Sequence, residues 1–300
     1  MAIDFVALIN TSFFAMTPIA LAALGEVIAE RAGVVNIGIE GVILISGFMA
    51  VVGAETGNSW LMGLLAGALT GALLGVIHGI IGIYAKGDQV VNGIGLNLFS
   101  LGFVAYGLIV LWNTPGVHMM NMDLTVPKIQ TPMGSISPIF IATILLALLL
   151  NWMFKKSVIG LRIDACGENP EAADVAGINV ELVRFLACVA GSMLAGIAGA
   201  FLSIDWLGFT TRELAAGRGF IALACVVFSG LNPLLALGGA ALFGFSQGLS
   251  MEIAVMPGVK DVVPFYFIHM LPYIITLVVV AIAIGRKRFP KSLGTPYKRE

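Results

Sequence analysis

Hydrophobic positions along this chain do not alternate with polar ones at a helical or strand period; they run on in blocks about twenty residues long, separated by short polar breaks. Twenty apolar residues at 1.5 Å rise cover about 30 Å, the thickness of a bilayer's hydrocarbon core. The blocks predict nine spans, at about 5–29, 35–54, 60–84, 90–112, 137–155, 182–204, 216–231, 234–252 and 263–285, with eight to ten as the range. The glycine-rich stretch 205–220 is open to a re-entrant reading. One interruption stands apart: SVIGLRIDACGENPEAADVAGINVELVR, residues 157–184, is a charged, helix-punctuated island in a hydrocarbon chain.

Composition agrees with the pattern. Of 300 residues 59% are hydrophobic and 11% charged, with mean hydropathy +1.00, against about 25% charged in soluble domains. The expected fold is an all-α polytopic membrane bundle, a single transmembrane domain over 1–300. The N-terminal apolar stretch lacks a basic leader and is read as a retained span. A net charge of −1 gives no basic field for nucleic acid, and Cys166, Cys188 and Cys225 have no metal-ligand spacing. Basic residues orient the spans. With the tail 286–300 cytoplasmic, twelve of the sixteen fall inside, leaving Lys128, Arg212, Arg218 and Lys260 outside; the positive-inside rule then places the N-terminus outside and the C-terminus inside.

Small residues recur four apart in GLLAGALTGALLG (63–75) and AGSMLAGIAGA (190–200), which lets helix backbones approach closely. This spacing is read as packing within the subunit. Polar side chains at membrane depth are costly unless paired or facing a wet cavity. Asn36 and Glu40 share a helical face, Asn92 and Asn97 form a second cluster beside Phe99, whose ring can stack on a flat ligand, and Ser246 and Gln247 form a third. Each is open to two readings, substrate path or inter-helix hydrogen bond. His78 is read as a packing or capping histidine. The acids are expected near the membrane boundaries, with Glu40 the deepest. There is no phosphate loop, HExxH or GxSxG, so no catalytic residue, metal or cofactor is expected in the chain. Energy for active transport must then come from a partner or an ion gradient.

The island supplies the partner. In CGENPEAADVAGI Asn169 suits an N-cap, Pro170 the first helical position, Glu171 the positive end of the dipole and Gly177 the stop. Ala172 and Ala173 give this short helix a small, smooth face.

GENPEAADVAGI resembles the coupling-helix motif of bacterial and archaeal ATP-binding-cassette importer permeases. LGEVIAERAGVVNIGIEGVILISGF (24–48), GRGFIALACVVFSGLNPLLALGGAALFG (217–244) and the tail LGTPYKRE are similar to the nucleoside-type branch of the sugar/nucleoside permease family. The glycine-aspartate-leucine-serine motif of the ribose-type branch is missing. The resemblance implies a type II importer permease fold, with coupling segment 157–181 bearing Gly167, Glu168, Asn169, Pro170, Glu171, Ala172, Ala173, Asp174 and Gly177. It also implies a second, different permease subunit, separate ATPase subunits that use ATP and Mg, an extracytoplasmic substrate-binding lipoprotein, and a setting in the lipid of the cytoplasmic (inner) membrane. The implied activity is nucleoside import by alternating access. The same machine carrying riboflavin or another flavin, or a simple sugar, is an alternative, as is an ion-coupled secondary carrier. The substrate-path candidates, Asn36, Glu40, Asn92, Asn97, Phe99 and Gln247, rest on the residues alone.

Overall fold

The computed structural model describes residues 5–131, 134–255 and 289–298, together with 267, 270, 272–275, 277, 278 and 281. Its order is α1 (Phe5–Arg31), α2 (Ile39–Gly57), α3 (Trp60–Gly79), α4 (Gln89–Trp112), β1 (Val117–Met119), β2 (Ile129–Thr131), β3 (Gly134–Ile136), α5 (Pro138–Lys156), α6 (Val158–Glu168), α7 (Pro170–Val175), α8 (Val180–Ala200), β4 (Phe209–Thr211), α9 (Arg218–Ser229) and α10 (Pro233–Val255). The last turns of α3 and α8 widen into π-helical segments, Ile80–Tyr84 and Phe201–Leu207.

Seven of these helices are long and apolar enough to cross a membrane. Among the described residues they match seven of the nine expected spans, and one of the other two is corrected. The stretch 216–231 is only the twelve-residue α9, about 18 Å long and too short to span. The ninth block, 263–285, lies largely outside the described residues.

The core is built on α1, α2 and α8, whose buried faces carry Ile19, Leu24, Val42, Ile43, Phe48, Ala195 and Ala198. The glycine stripe of α3 packs into this core. A Cβ on Gly71 would meet the Ser192 carbonyl oxygen and the Gly196 backbone, and one on Gly75 the Ser192 side chain. The small-residue spacing therefore serves contacts within the chain, where no hydrophobic drive separates helix from lipid. By contrast, α4 turns Val91, Leu98, Phe99 and Tyr106 outward.

The two ends of the bundle differ. At one end β1 pairs antiparallel with β4 and β2 with β3, and β3 sits against the start of α1. The described residues of segment 113–136 thus form a small cap. There Glu55 accepts hydrogen bonds from Trp112 Nε1 (3.0 Å) and lies 2.7 Å from His118 Nε2, with the Trp112 and His118 rings stacked. At the other end lie α6 and α7. The sequence foresaw one short helix in the island; there are two, because Ser157 caps a first helix by accepting from the Gly160 amide at 3.1 Å. For α7 the expected signals operate: Asn169 Oδ1 accepts the Ala172 amide at 3.1 Å, Pro170 opens the helix, and Gly177 follows it at φ +83°.

Candidate functional site

Two helix N-termini begin inside the bundle rather than at its ends. The first is that of α2. The connector 32–38 folds back along the last turns of α1, where the Asn36 amide donates to Glu26 Oε1 at 2.7 Å. The amides of Ala32, Gly33 and Val34 bond to the backbone of α1, and from Val35 to Gly38 the backbone is held mostly by side chains. Gln89 Oε1 accepts from the Val35 amide (2.9 Å), and His78 Nε2 meets the Val35 carbonyl (3.1 Å). Asn97 Nδ2 donates to the Ile37 carbonyl (2.9 Å) while its Oδ1 accepts the Gly41 amide (2.8 Å), so Asn97 caps α2 from a neighbouring helix. Asn36 Oδ1 accepts the Gly38 amide, and its Nδ2 donates to Ser192 Oγ. Asn92 Nδ2 lies 3.0 Å from His78 Nδ1. This fits one neutral tautomer, with Nε2 donating to Val35 and Nδ1 accepting from Asn92. A non-helical stretch at membrane depth is tolerated only when its amides and carbonyls find such partners.

The second buried N-terminus is that of α9, and Glu40 caps it. Glu40 Oε1 and Oε2 accept the amides of Gly217 and Gly219, each at 2.6 Å. A carboxylate on the first amides of a helix satisfies orphan donors and faces the positive dipole end. Arg218, between those glycines, donates from Nη1 to the Leu214 and Ala215 carbonyls. It is 8% exposed, stacks over Trp206 at 5.1 Å, and its Nε has no hydrogen-bond partner among the described residues. It lines a cavity of about 210 Å³ together with Gln247, Ser250, Phe243 and Tyr273.

The structure thus brings Asn36, Asn92 and Asn97 to one connector, and Glu40 to the neighbouring α9. Gln247 lies on the cavity. Phe99 is apart, 57% exposed on the outer face of α4, against Phe103. Sequence reading passed over Gln89, Glu26 and Arg218. Glu26, Glu30 and Asp205 are buried within the bundle; Asp205 is met by the hydroxyl of Ser137. Gln89 and Asp205 have partners distant in sequence, Val35 and Ser137, so no local spacing signals them.

At the α6–α7 end Arg31 pairs with Asp164 (2.9 Å) and donates to the Leu231 carbonyl. Burial raises the Asp164 pKa, against the pull of Arg31. Glu171 and Ala172 are exposed on α7, while Ala173 is buried beneath it. Gly167, at the end of α6, is buried. Beside α7 runs a groove of about 750 Å³ lined by Asn169, Pro170, Glu171, Thr295, Pro296 and Tyr297.

A jointed polar interior within a helical bundle coated in hydrocarbon side chains, one end charged, is the build of a membrane transport subunit. The chain belongs to the family described as branched-chain amino acid transport system / permease component, whose model matches residues 8–283. It is 36% identical over 298 residues to the guanosine ABC transporter permease protein NupQ of Bacillus subtilis, covering 93% of this chain and 92% of that one. To the nucleoside ABC transporter permease protein NupC of Lactococcus lactis it is 34% identical, over 94% and 93% of the two chains. The putative glucose ABC transporter permease protein TsgC13 of Haloferax volcanii is 35% identical over 98% of each. The chain is accordingly a multi-pass permease subunit of an ATP-binding-cassette transporter in the inner membrane. It is not itself an enzyme. Its family implies ATP-binding subunits and a substrate-binding protein as partners.

Proposed function

We propose that this permease imports nucleosides, with its N-terminus outside, α6 and α7 in the cytoplasm, and α7 seated on an ATPase subunit that binds ATP and Mg. The capped helix Pro170–Val175, held at one end of the bundle with Glu171 and Ala172 outward, carries this reading. In it Gly167, Glu168, Asn169, Pro170, Glu171, Ala172, Ala173, Asp174 and Gly177 make up the coupling segment. Loaded binding protein docks on the β1–β4 cap. Because β4 leads directly through 212–217 to α9, docking acts on the N-terminus that Glu40 holds. Gln247 and Arg218 offer hydrogen bonds to the cargo in the adjoining cavity, which at about 210 Å³ takes one ring of a nucleoside rather than a whole drug-sized ligand. Asn36, Asn92 and Asn97 support that path through the connector. A second, different permease subunit packs on the outer face of α4, where Gly95 and Gly102 leave open space beside Phe99.

A sugar is the second reading, favoured by the 35% identity to the putative glucose permease. None of the relatives described above is named for a flavin. Uptake by the reconstituted complex, with ATP inside the vesicles, tests both. Labelled guanosine should accumulate and resist competition by glucose or riboflavin. Preferential glucose uptake would replace the nucleoside reading, and accumulation without ATP or ATPase subunits would overturn the ATP-driven mechanism.

A further inference from the structure

Residues 289–298 contain one turn and no regular element, yet they are bonded to four separate parts of the molecule. The anchor is Arg184, in the second turn of α8 and 1% exposed. Its Nη1 donates to the Thr295 carbonyl (2.9 Å), and its Nη2 to Ser292 Oγ (2.7 Å) and the Cys166 carbonyl (3.0 Å). The Ser292 amide donates to the Gly167 carbonyl, at the end of α6. The Gly294 amide donates to the Gly33 carbonyl, at the start of the connector. Tyr297 Oη donates to Asp174 Oδ2 of α7 at 2.9 Å. Lys291 lies 3.5 Å from Glu168, but both are exposed and such a pair holds little.

Gly33 is pressed into this junction. Its φ is +91°, and a Cβ there would fall 2.9 Å from Arg184 Nη2. Burying a guanidinium against carbonyl and hydroxyl oxygens, with no ion pair to a carboxylate among the described residues, is a costly way to hold chain ends together. Its planar fork does fix several acceptors in one geometry at once. Gly33 opens the connector whose next residues, Val35 to Gly38, carry the polar contacts of His78, Gln89 and Asn97. A continuous route therefore runs from α7 through the Asp174–Tyr297 hydrogen bond, along the backbone from Tyr297 to Gly294, and through the Gly294–Gly33 hydrogen bond to that connector.

We propose that residues 290–298 are a strut transmitting movement of α7 to the 32–38 connector, with Arg184 its positioning residue. The proposal rests on α7 being the ATPase contact. A strut and a mere staple for folding predict different behaviour. Without the strut the ATPase still docks and turns over, but its stroke is lost before the gate.

The test uses the complete transporter in proteoliposomes, reading phosphate release and cargo uptake from the same sample, with an Ala172→Cys crosslink to the ATPase subunit as the control for docking. Tyr297→Phe removes the bond to Asp174, and Arg184→Lys keeps the charge but not the fork. Each should leave the crosslink intact and raise ATP spent per cargo molecule about three- to tenfold, the scale of one lost hydrogen bond. An unchanged ratio with the crosslink intact overturns the strut, as does a parallel fall of hydrolysis and uptake. Absence of the crosslink in the otherwise unaltered protein removes the α7 reading itself, a failure separable from that of the strut.

Discussion

The two helix N-termini inside the bundle are built on opposite plans. At α2 the connector is bonded from several sides, by Glu26, His78, Gln89 and Asn97, and its backbone groups are largely taken up. At α9 a single carboxylate, Glu40, takes two amides, while on the other side Arg218 faces a cavity with its Nε unpartnered among the described residues. Many short bonds tie one segment rigidly to its neighbours, so that a push on it is passed on rather than absorbed. One capping group facing open volume makes an element that can shift by exchanging one partner for another. In a permease the first suits a lever that moves as one piece, the second a gate.

The contrast can be broken most severely at Glu40. In Glu40→Ala the amides of Gly217 and Gly219 lose their acceptor within the bundle, at a cost of about 2–4 kcal/mol, and uptake should vanish. A lowered unfolding midpoint of the purified protein, with Glu40→Gln recovering part of it, would show this; an unchanged midpoint would place the cap elsewhere. His78→Ala strikes the rigid connector, freeing the Val35 carbonyl and Asn92, and should cost about 1–3 kcal/mol. Thermal unfolding of that variant should also lose the coupling to Asn92→Ala, so that the double variant is little worse than either single one. Gln247→Ala sharpens the other side: stability should stay put while the half-saturating cargo concentration rises about three- to tenfold, read from uptake curves. Phe99→Ala should be smallest, within about 0.5 kcal/mol for the isolated subunit. A larger effect that appears only in the assembled complex would locate the second subunit on α4.

Much of this architecture is written in composition. Span positions follow from unbroken apolar runs, and α7 follows from Asn169, Pro170 and Gly177, because caps act within four residues and leave a local mark. Asn36 and Asn97 stand out for the same reason, as amides where hydrocarbon is expected. What was illegible has partners far away in sequence. Nothing around Arg184 announces Thr295, 111 positions on, and nothing around Glu40 announces Gly217, 177 positions on. The misjudged span at 216–231 has a similar origin: apolar composition reports contact with hydrocarbon or core, and it does not say whether the backbone there is helix throughout.

The docked tail also has a bearing on biosynthesis. Residues 289–298 follow every other described element along the chain, so they leave the ribosome after α1 to α10 have been handed to the membrane. Folding that proceeds from the N-terminus therefore leaves Arg184, Gly33 and Asp174 waiting, and the face that α7 offers is finished only once those late residues arrive. A chain interrupted shortly before them would lack the bonds to Arg184, Gly33 and Asp174 and leave the junction beside α7 incomplete.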